Sequence, residues 1–329
     1  MRFAINALAV VLALGLATAA LAQGTGRSLD IQPGGRQNGM GAAGVALADD
    51  PTGATWWNPA ALGFVGRTGV ELTYAQLVPG LASDVNYNYL TFVHPLQGWG
   101  AFGVGIVFLS YGQSEGSDDQ GNPTGTFGSN EFSPVVNYGT QIFEDFAVGA
   151  SLKWIRIQLA PSDQSGVGST FGLDLAALYR IKPARVNLGV NVQNLGPSVA
   201  FLNEDKADPL GRNLKVGSSW EAVSSKNYAV VLAADFNQSL VTDNFRTYNG
   251  GLELRYADQV AVRIGQYFDP LGGIGAEMRP SGTVYFPSDA LTYGIGVQFK
   301  GFTVDWGSIP QARESDLGNV QKITIGYRF

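Results

Sequence analysis

Long segments of alternating apolar and polar residues run from residue 68 to the end of the sequence. In the last segment, one face is wholly apolar and is formed by Ile323, Ile325, Tyr327 and Phe329. Successive side chains of a β-strand point to opposite faces, so this period of two predicts strands with one apolar and one polar face. The segments run for about 9 to 13 residues, the length with which a tilted strand crosses the hydrocarbon core of a bilayer. The pattern therefore predicts membrane-spanning strands.

Fourteen segments share this pattern, at residues 68–77, 85–95, 99–111, 131–141, 145–158, 168–181, 184–194, 212–222, 227–238, 245–256, 259–268, 291–299, 302–309 and 319–329. Short turns and longer loops alternate between them. Bacterial single-chain barrels have an even number of strands, short periplasmic turns and longer extracellular loops. The predicted fold class is therefore all-β, a transmembrane antiparallel β-barrel of about 14 strands over residues 68–329, with both ends on the periplasmic side. The alternative is a secreted β-sandwich or a soluble barrel, whose strands also alternate, but sandwich strands average about 5 to 6 residues and these segments are about twice as long.

The composition excludes several other classes of protein. Glycine occupies 44 of 329 positions, aromatic residues make up 11% and charged residues 15%. Because disordered chains are rich in charge and poor in aromatic residues, disorder is excluded. Beyond the first 22 residues there is no apolar run of about 18 residues, which a membrane-spanning helix would need. Lys and Arg total 21 against 27 for Asp and Glu, which disfavours a nucleic-acid partner, and the sequence contains no cysteine.

Residues 1–22 have the features of a secretory signal peptide. Arg2 supplies the positive charge, an apolar stretch follows, and Ala20-Leu21-Ala22 forms a small-x-small cleavage site before Gln23. We therefore expect export with cleavage of the leader, and localisation in a Gram-negative type of outer membrane.

Residues 23–67 lack strand periodicity, and they precede the first predicted strand. The stretch is too long for a simple linker, and its second half is too apolar to lie in water, so we expect a plug or hatch inside the lumen. Gly39, Gly41 and Gly44 satisfy the dinucleotide fingerprint G-x-G-x-x-G, but no strand precedes them, so packing against the barrel wall is the better interpretation.

The inward face of the predicted strands mixes charges of both signs. These could form ion pairs between strands, or some of them could hold the plug. The residues are Glu71, Lys153, Asp174, Arg180, Arg185, Lys215, Glu221, Asp235, Glu253, Arg255, Arg263, Asp305 and Arg328.

Two stretches resemble a known group of outer-membrane proteins. Residues 36–51, with Asn58-Pro59-Ala60-Ala61-Leu62 after them, resemble the N-terminal hatch of the FadL-type transporters of hydrophobic compounds, and more closely the PorV/PorQ family. The terminal Gly326-Tyr327-Arg328-Phe329 is similar to the final strand of the same family. The resemblance implies a hatch motif composed of Gly39, Gly41, Gly44, Asp49, Asp50, Asn58, Pro59 and Ala60.

The resemblance leaves the function open between two branches. FadL-type members imply passive uptake of hydrophobic small molecules through a hatch-plugged barrel, which we favour from the sequence because a hatch is visible. The alternatives are a PorV-like partner barrel of the type IX secretion system and a structural barrel without transport. The expected partners are outer-membrane lipid, the barrel assembly machinery, and either hydrophobic solutes or secretion-system proteins.

Two further features predict sites in the wall. Pro134 falls inside the fourth predicted strand, where it removes a ladder hydrogen bond, beside Gly103 and Gly105 of the third. We expect either a lateral opening between these strands or an ordinary bulge. At the chain end, Ile323, Ile325, Tyr327 and Phe329 resemble the C-terminal signal that the assembly machinery reads.

Catalytic and metal chemistry has little support in the sequence. The single histidine, His94, precedes Pro95 at the end of a predicted strand, and a structural role at the rim is expected. In the predicted loop 112–130, Glu115, Asp118 and Asp119 offer oxygen ligands for Ca²⁺, but their spacing matches no EF-hand, and a solvated acidic loop is favoured. The sequence thus predicts neither an enzyme nor a bound cofactor or metal.

Overall fold

The computed structural model describes residues 25–117, 120, 122–161, 166–201, 205, 207–241, 246–268, 291–310 and 319–329. The leader predicted for residues 1–22 lies outside the described residues, as do Asp118 and Asp119.

Fourteen antiparallel strands among the described residues form a closed barrel, in which β1 pairs with β14 and every other strand with its neighbours in sequence. The strands are β1 (Gly69–Gln76), β2 (Val85–Leu96), β3 (Gly100–Ser117), β4 (Pro123–Phe143), β5 (Phe146–Gln158), β6 (Val167–Ile181), β7 (Val186–Leu195), β8 (Asn213–Ser224), β9 (Tyr228–Ser239), β10 (Arg246–Tyr256), β11 (Val260–Phe268), β12 (Leu291–Phe299), β13 (Phe302–Ile309) and β14 (Val320–Arg328). The predicted fold class is confirmed.

Alternation along each strand separates an apolar outer face from a polar inner one. On β14, Ile323 and Ile325 are 40% and 54% exposed, whereas Lys322 and Thr324 are 6% and 3% exposed. An exposed apolar surface repeated around the whole wall would be unfavourable in water, so it is the surface that contacts lipid.

The prediction of a loop over residues 112–130 is wrong for most of this range, which the structure places in strands. β3 continues to Ser117 and β4 begins at Pro123, so the two strands form a hairpin that is longer than its neighbours. The pairing shifts register between Ser110 and Gln113, where Gly112 has a φ of 84°. Backbone pairing in water needs no apolar face, so the strands persist where the alternation of side chains has ended. Glu115 therefore lies on a strand rather than in a loop.

The N-terminal segment, residues 25–67, consists of short turns of helix. These are a 3₁₀ turn (Arg27–Leu29), the helix α1 (Gly35–Gly39), a π-helical turn (Gly53–Trp57) and a second 3₁₀ turn (Pro59–Phe64). None of the helices in the described ranges has the length and hydropathy to cross a membrane. α1 packs against β11–β14, while the second 3₁₀ turn packs against β3–β6. Since these two groups of strands are far apart around the closed barrel, the segment spans the space between them.

Candidate functional site

Glycines bring the backbone of the N-terminal segment into contact with the wall. Gly41 has a φ of 70°, and a Cβ atom there would lie 2.5 Å from the carbonyl oxygens of Gly250 and Gln266. At Gly39 a Cβ atom would lie 2.9 Å from the Cα atom of Gly294, and at Gly44 it would clash with the indole ring of Trp57. These glycines of the hatch motif therefore permit close approach of backbone and ring, which is a packing requirement rather than a nucleotide site.

Inward-facing oxygen atoms of the wall accept hydrogen bonds from backbone N–H groups of the segment. One carboxylate oxygen of Asp235 accepts from both Gly44 and Val45, at 2.7 and 2.9 Å. The two oxygens of Glu131 accept from Arg27 and Ser28, at 3.1 and 2.8 Å. Three further bonds of this kind join Gly35 to Thr324, Gly41 to Thr292 and Thr52 to Glu71.

Amide side chains of the wall make the complementary contacts. They donate to backbone carbonyl oxygens of the segment, in the pairs Asn191 to Trp57, Gln193 to Trp56 and Asn249 to Ala42, each at 2.9 Å. Buried backbone groups must be paired, so the inner face of the barrel supplies the partners that irregular segments cannot supply themselves.

Asn58, Pro59 and Ala60 of the hatch motif form the start of the second 3₁₀ turn. The Asn58 side chain accepts from the N–H of Ala60 at 3.1 Å and so caps the turn, while proline at the first position has the φ angle that the turn needs. The Asn58 amide also donates to the carbonyl oxygens of Val45 and Ala177, at 3.0 and 3.2 Å. One residue thus joins two parts of the segment to β6.

Arg36 organises the charges at the short-turn end of the lumen. Its guanidinium pairs with Asp49, with Asp50 at 3.3 Å, and with Glu253 of β10 at 2.9 Å. Arg263 then joins Glu253 to Asp305, at 2.6 Å each. Glu253 is thus an inward-facing charge of the wall that pairs with the N-terminal segment.

Asp50 has a second role within the segment. Its carboxylate accepts from the N–H of Gly53 at 2.6 Å and from the Gln37 side chain at 2.9 Å. Burial raises the pKa of the Asp50 carboxyl above its usual range, and the nearby Asp49 adds to this rise while Arg36 opposes it.

Two buried lysines of the wall contact the segment without pairing to one of its carboxylates. Lys215 places its ammonium 4.3 Å from the Trp56 ring centre and 5.0 Å from that of Trp57. Lys322 donates to the carbonyl oxygen of Gln32 and to the side chain of Asn38, at 2.5 and 2.9 Å. The alternation predicted that Lys215 faces inward, but it gave no sign of the rings that Lys215 meets.

An apolar cluster fills the part of the lumen between the N-terminal segment and strands β2 to β4. Tyr87 and Tyr89 of β2 are fully buried there, together with Trp57, Leu109 and Val135. Tyr89 donates its hydroxyl hydrogen to Thr55 at 2.8 Å. Sequence reasoning missed these tyrosines, because alternation alone does not reveal that an aromatic residue faces inward when a plug covers it.

Two clefts lie at the short-turn end of the lumen. One is lined by Ala46, Leu47, Ala48 and Asp49 of the segment together with Arg36, Arg180, Arg185 and Arg255, and the other by residues that include Glu253, Asp258, Gln259 and Arg328. Their walls are largely polar and charged. Both clefts reach turn residues of this rim.

The residues of the predicted lateral opening lie in a well-paired region of the wall. β3 and β4 pair without a register shift from Ala101–Gly139 to Ser110–Asn130, with Pro134 opposite Ile106, and a lateral opening at these residues stays a prediction. Between β4 and β5, the pair that follows Phe132 and Arg156 is Val135 and Lys153, so the pairing is interrupted at Ser133 and Pro134. Gly103 and Gly105 face inward, where a Cβ atom would lie 2.6 Å from the Thr55 side chain and 2.9 Å from the Tyr89 hydroxyl. Their small size makes room for these groups.

The chain end closes the barrel. Ile323 of β14 lies opposite Tyr74 of β1 and Trp306 of β13, and the N–H of Phe329 donates to the carbonyl oxygen of Thr68 at 2.9 Å. The Phe329 ring is 68% exposed on the lipid-facing side. That the assembly machinery reads these residues stays a prediction.

His94 contacts neighbouring side chains at the short-turn end of β2. The ring of His94 shares a hydrogen bond of 2.8 Å between its Nδ1 atom and the hydroxyl of Thr68, and it stacks on Phe92. Within the described part of the chain, no group of three or more histidine, aspartate or glutamate side chains is placed to hold a metal ion.

A closed barrel with an apolar outer belt and an interior occupied by its own N-terminal segment defines an outer-membrane β-barrel protein. Residues 21–245, more than half of the chain, match the family model of the type IX secretion system protein PorV, and the chain belongs to this family. No curated protein matches the sequence.

Solved structures show the same barrel fold. The toluene transporter TbuX of Ralstonia pickettii is 16% identical, with a TM-score of 0.59, over 91% of this chain and 98% of its own. The toluene transporter TodX of Pseudomonas putida is 14% identical, with a TM-score of 0.56, over 94% and 99%. A FadL homologue of Pseudomonas aeruginosa is 13% identical, with a TM-score of 0.51, over 90% and 98%. The predicted resemblance to both PorV and FadL-type barrels is confirmed, and the fold and family indicate the outer membrane.

Proposed function

We propose that this protein is a partner barrel of a type IX secretion system, acting together with other envelope proteins rather than as an open channel. The observation that carries the proposal is the attachment of the N-terminal segment to the inner wall. Strands that contribute side-chain hydrogen bonds to it include β1, β4, β7, β9, β10, β12 and β14. The description of the matched family supports the same assignment.

The energetics of this attachment argue against a lumen that opens readily. A hydrogen bond contributes about 0.5–1.5 kcal/mol to stability, and one to a charged group about 1.5–3 kcal/mol. Several of the bonds involve the carboxylates of Asp235, Glu131 and Glu71. A wide path through the lumen would require many of them to break together. The stronger candidate is therefore a protein whose outer surfaces and loops engage partners while the interior stays filled.

The test compares cells that lack the gene with cells that carry it. We expect the deletion to trap exported proteins in the periplasm, and the wild-type protein to co-purify from native outer membranes with secretion proteins in a fixed stoichiometry. A complementing copy should restore export. Normal export without the gene, together with a purified protein free of partners, would contradict the proposal.

Passive uptake of hydrophobic small molecules, which the sequence alone favoured, is the second candidate. The observation in its favour is the apolar cluster around Tyr87, Tyr89 and Trp57 in the lumen. In this role residues 23–67 act as a hatch that moves to admit a solute. Uptake of toluene, which the names of two structural neighbours mention, provides the assay. Faster entry of toluene into vesicles that contain the purified protein, and normal export in the deletion strain, would favour this candidate.

A lateral exit near Gly103, Gly105 and Pro134 belongs to the uptake candidate. We expect Pro134→Val to supply the missing N–H, to stabilise the wall by about 1 kcal/mol and to slow the release of toluene into the membrane. Pro95→Val, at a strand proline opposite Ala101 near the short-turn rim, is the matched control. Equal uptake by the folded Pro134→Val variant and the wild type would exclude this exit.

A further inference from the structure

The first cleft at the short-turn end carries more positive than negative charge. The charged groups that face it are Arg36 and Asp49 of the N-terminal segment, Arg180 of β6, Arg185 of the turn before β7, Glu221 of β8 and Arg255 of β10. The two carboxylates are already engaged, Asp49 by Arg36 and Glu221 by Arg255 at 3.1 Å. Arg180 and Arg185 make no ion pair with any carboxylate of the described residues.

Two guanidinium groups on this cleft have buried N–H donors without a hydrogen-bond partner among the described residues. They are the Nε atoms of Arg180 and Arg255, but the Arg255 Nε lies 3.5 Å from a Glu253 carboxylate oxygen as an ion pair, so the donor without an acceptor is that of Arg180. The Arg180 guanidinium is held in place by the Phe64 ring, whose centre lies 3.9 Å from its Cζ atom. A buried donor that lacks an acceptor costs about 1–3 kcal/mol, so the arrangement calls for an acceptor from outside the chain.

Two other polar side chains of the cleft, Ser219 and Asn187, bond to the N-terminal segment and to each other. Ser219 donates to the carbonyl oxygen of Ala46 at 2.9 Å, and the amide of Asn187 donates to the Ser219 hydroxyl at 3.0 Å. The cleft has a cavity volume of about 70 Å³ and opens to solvent. This space admits a phosphate or carboxylate group from the periplasmic side.

We propose that this cleft binds an oxyanion, a phosphate or carboxylate group, between Arg180, Arg185 and Arg255 at the periplasmic mouth of the lumen. A planar guanidinium presents parallel N–H donors that match the oxygens of such a group, and its positive charge strengthens the bonds. The bound group would lie against residues 46–49, so its binding stabilises the position of the N-terminal segment. This proposal is independent of whether the barrel serves secretion or uptake.

The experiment uses the full-length protein in a non-ionic detergent without phosphate and follows binding of inorganic phosphate by the line width of its ³¹P resonance. We expect Arg180→Gln to weaken phosphate binding at least tenfold. Lys182→Gln is the matched control, because Lys182 is an exposed cation on the same rim that pairs with Glu144 and does not line the cleft. Its affinity for phosphate should change by less than twofold.

Competition with acetate distinguishes the two forms of the ligand. If the site prefers a carboxylate, bound phosphate should be displaced at a lower acetate concentration than if the site prefers phosphate. Folding of each variant is checked by its heat-modifiable migration in gels. Equal phosphate affinity in the folded Arg180→Gln variant and the wild type would overturn the proposal. So would equal losses in Arg180→Gln and Lys182→Gln, since they would reflect the general charge of the rim.

Discussion

At the scale of single residues, Glu253 illustrates how one buried carboxylate can connect the N-terminal segment to the wall. It is fully buried and lies 2.9 Å from Arg36 of the segment and 2.6 Å from Arg263 of the neighbouring strand. Arg255 of the same strand as Glu253 lies 3.5 Å from it, so three guanidinium groups share this carboxylate. A buried charge of this kind is costly to leave unpaired.

We expect Glu253→Gln to destabilise the folded protein by about 3–5 kcal/mol, because Arg36 and Arg263 lose a common counter-charge in a buried site. The measurement is the temperature at which the folded band disappears in heat-modifiability gels. Glu144→Gln is the control, since Glu144 is exposed and its pair with Lys182 lies in water. A melting temperature for Glu253→Gln as high as that of the control would refute this role.

At the scale of elements, the N-terminal segment packs closely against the strands at glycines, which have no side chain. Gly251 faces inward on β10, where a Cβ atom would lie 2.5 Å from the Met40 carbonyl oxygen and 2.6 Å from its Cα atom. The adjacent Gly250 faces outward, and its nearest neighbour would be the Ala233 carbonyl oxygen at 3.8 Å. Backbone atoms cannot rotate away as a flexible side chain can.

The Gly251→Ala variant should therefore loosen the segment, at a cost of about 1–3 kcal/mol for overpacking. Faster cleavage of residues 25–67 by a protease added to the purified protein is the expected result. Gly250→Ala, one position away on the opposite face, should be cleaved at the wild-type rate. If both variants resist cleavage equally, the close contact at Met40 is not what holds the segment.

The last strand makes a second prediction at this scale. Deletion of Phe329 should reduce the amount of folded protein in the outer membrane, because the terminal aromatic residue is expected to be read during assembly. Phe299→Ala removes another exposed aromatic ring, 60% exposed at the end of β12, and serves as the control. Wild-type levels of folded protein after deletion of Phe329 would rule out the assembly role.

At the scale of the whole molecule, the barrel has two different ends. The first residues of β1 and the last of β14 pair at the short-turn rim, and the β3–β4 hairpin extends from the opposite rim. The usual orientation of bacterial barrels places short turns in the periplasm. The absence of cysteine from the sequence allows this orientation to be tested with single introduced thiols.

The variant Ser114→Cys, on the extended hairpin, should react with a membrane-impermeant maleimide in intact cells. The variant Lys226→Cys, in the turn between β8 and β9, should react only after the outer membrane has been permeabilised. Both positions are exposed, so the comparison isolates the side of the membrane. The reverse pattern of labelling would show that the barrel has the opposite orientation, with the oxyanion cleft at the cell surface.

The sequence by itself determined the number of strands, their approximate ends and, where apolar and polar residues alternate clearly, the face on which a residue lies. This was possible because a lipid outside and a polar interior impose a period of two that is local to each strand, as Ile323 and Ile325 show against Lys322 and Thr324. The sequence did not predict the hairpin beyond Tyr111. Both of its faces meet water, so its strands need no alternation of apolar and polar side chains, and backbone pairing alone leaves no pattern in the sequence.

Only the tertiary structure decided which inward residues meet which part of the N-terminal segment. Lys322 and Gln32 are 290 positions apart, and Asn191 and Trp57 are 134 apart, yet both pairs are joined by hydrogen bonds. A glycine, an amide or a lysine on the inner face has the same sequence signature whether it contacts the segment or water. The physical reason is that closure of the barrel around the segment, rather than any local preference of the chain, brings these groups together.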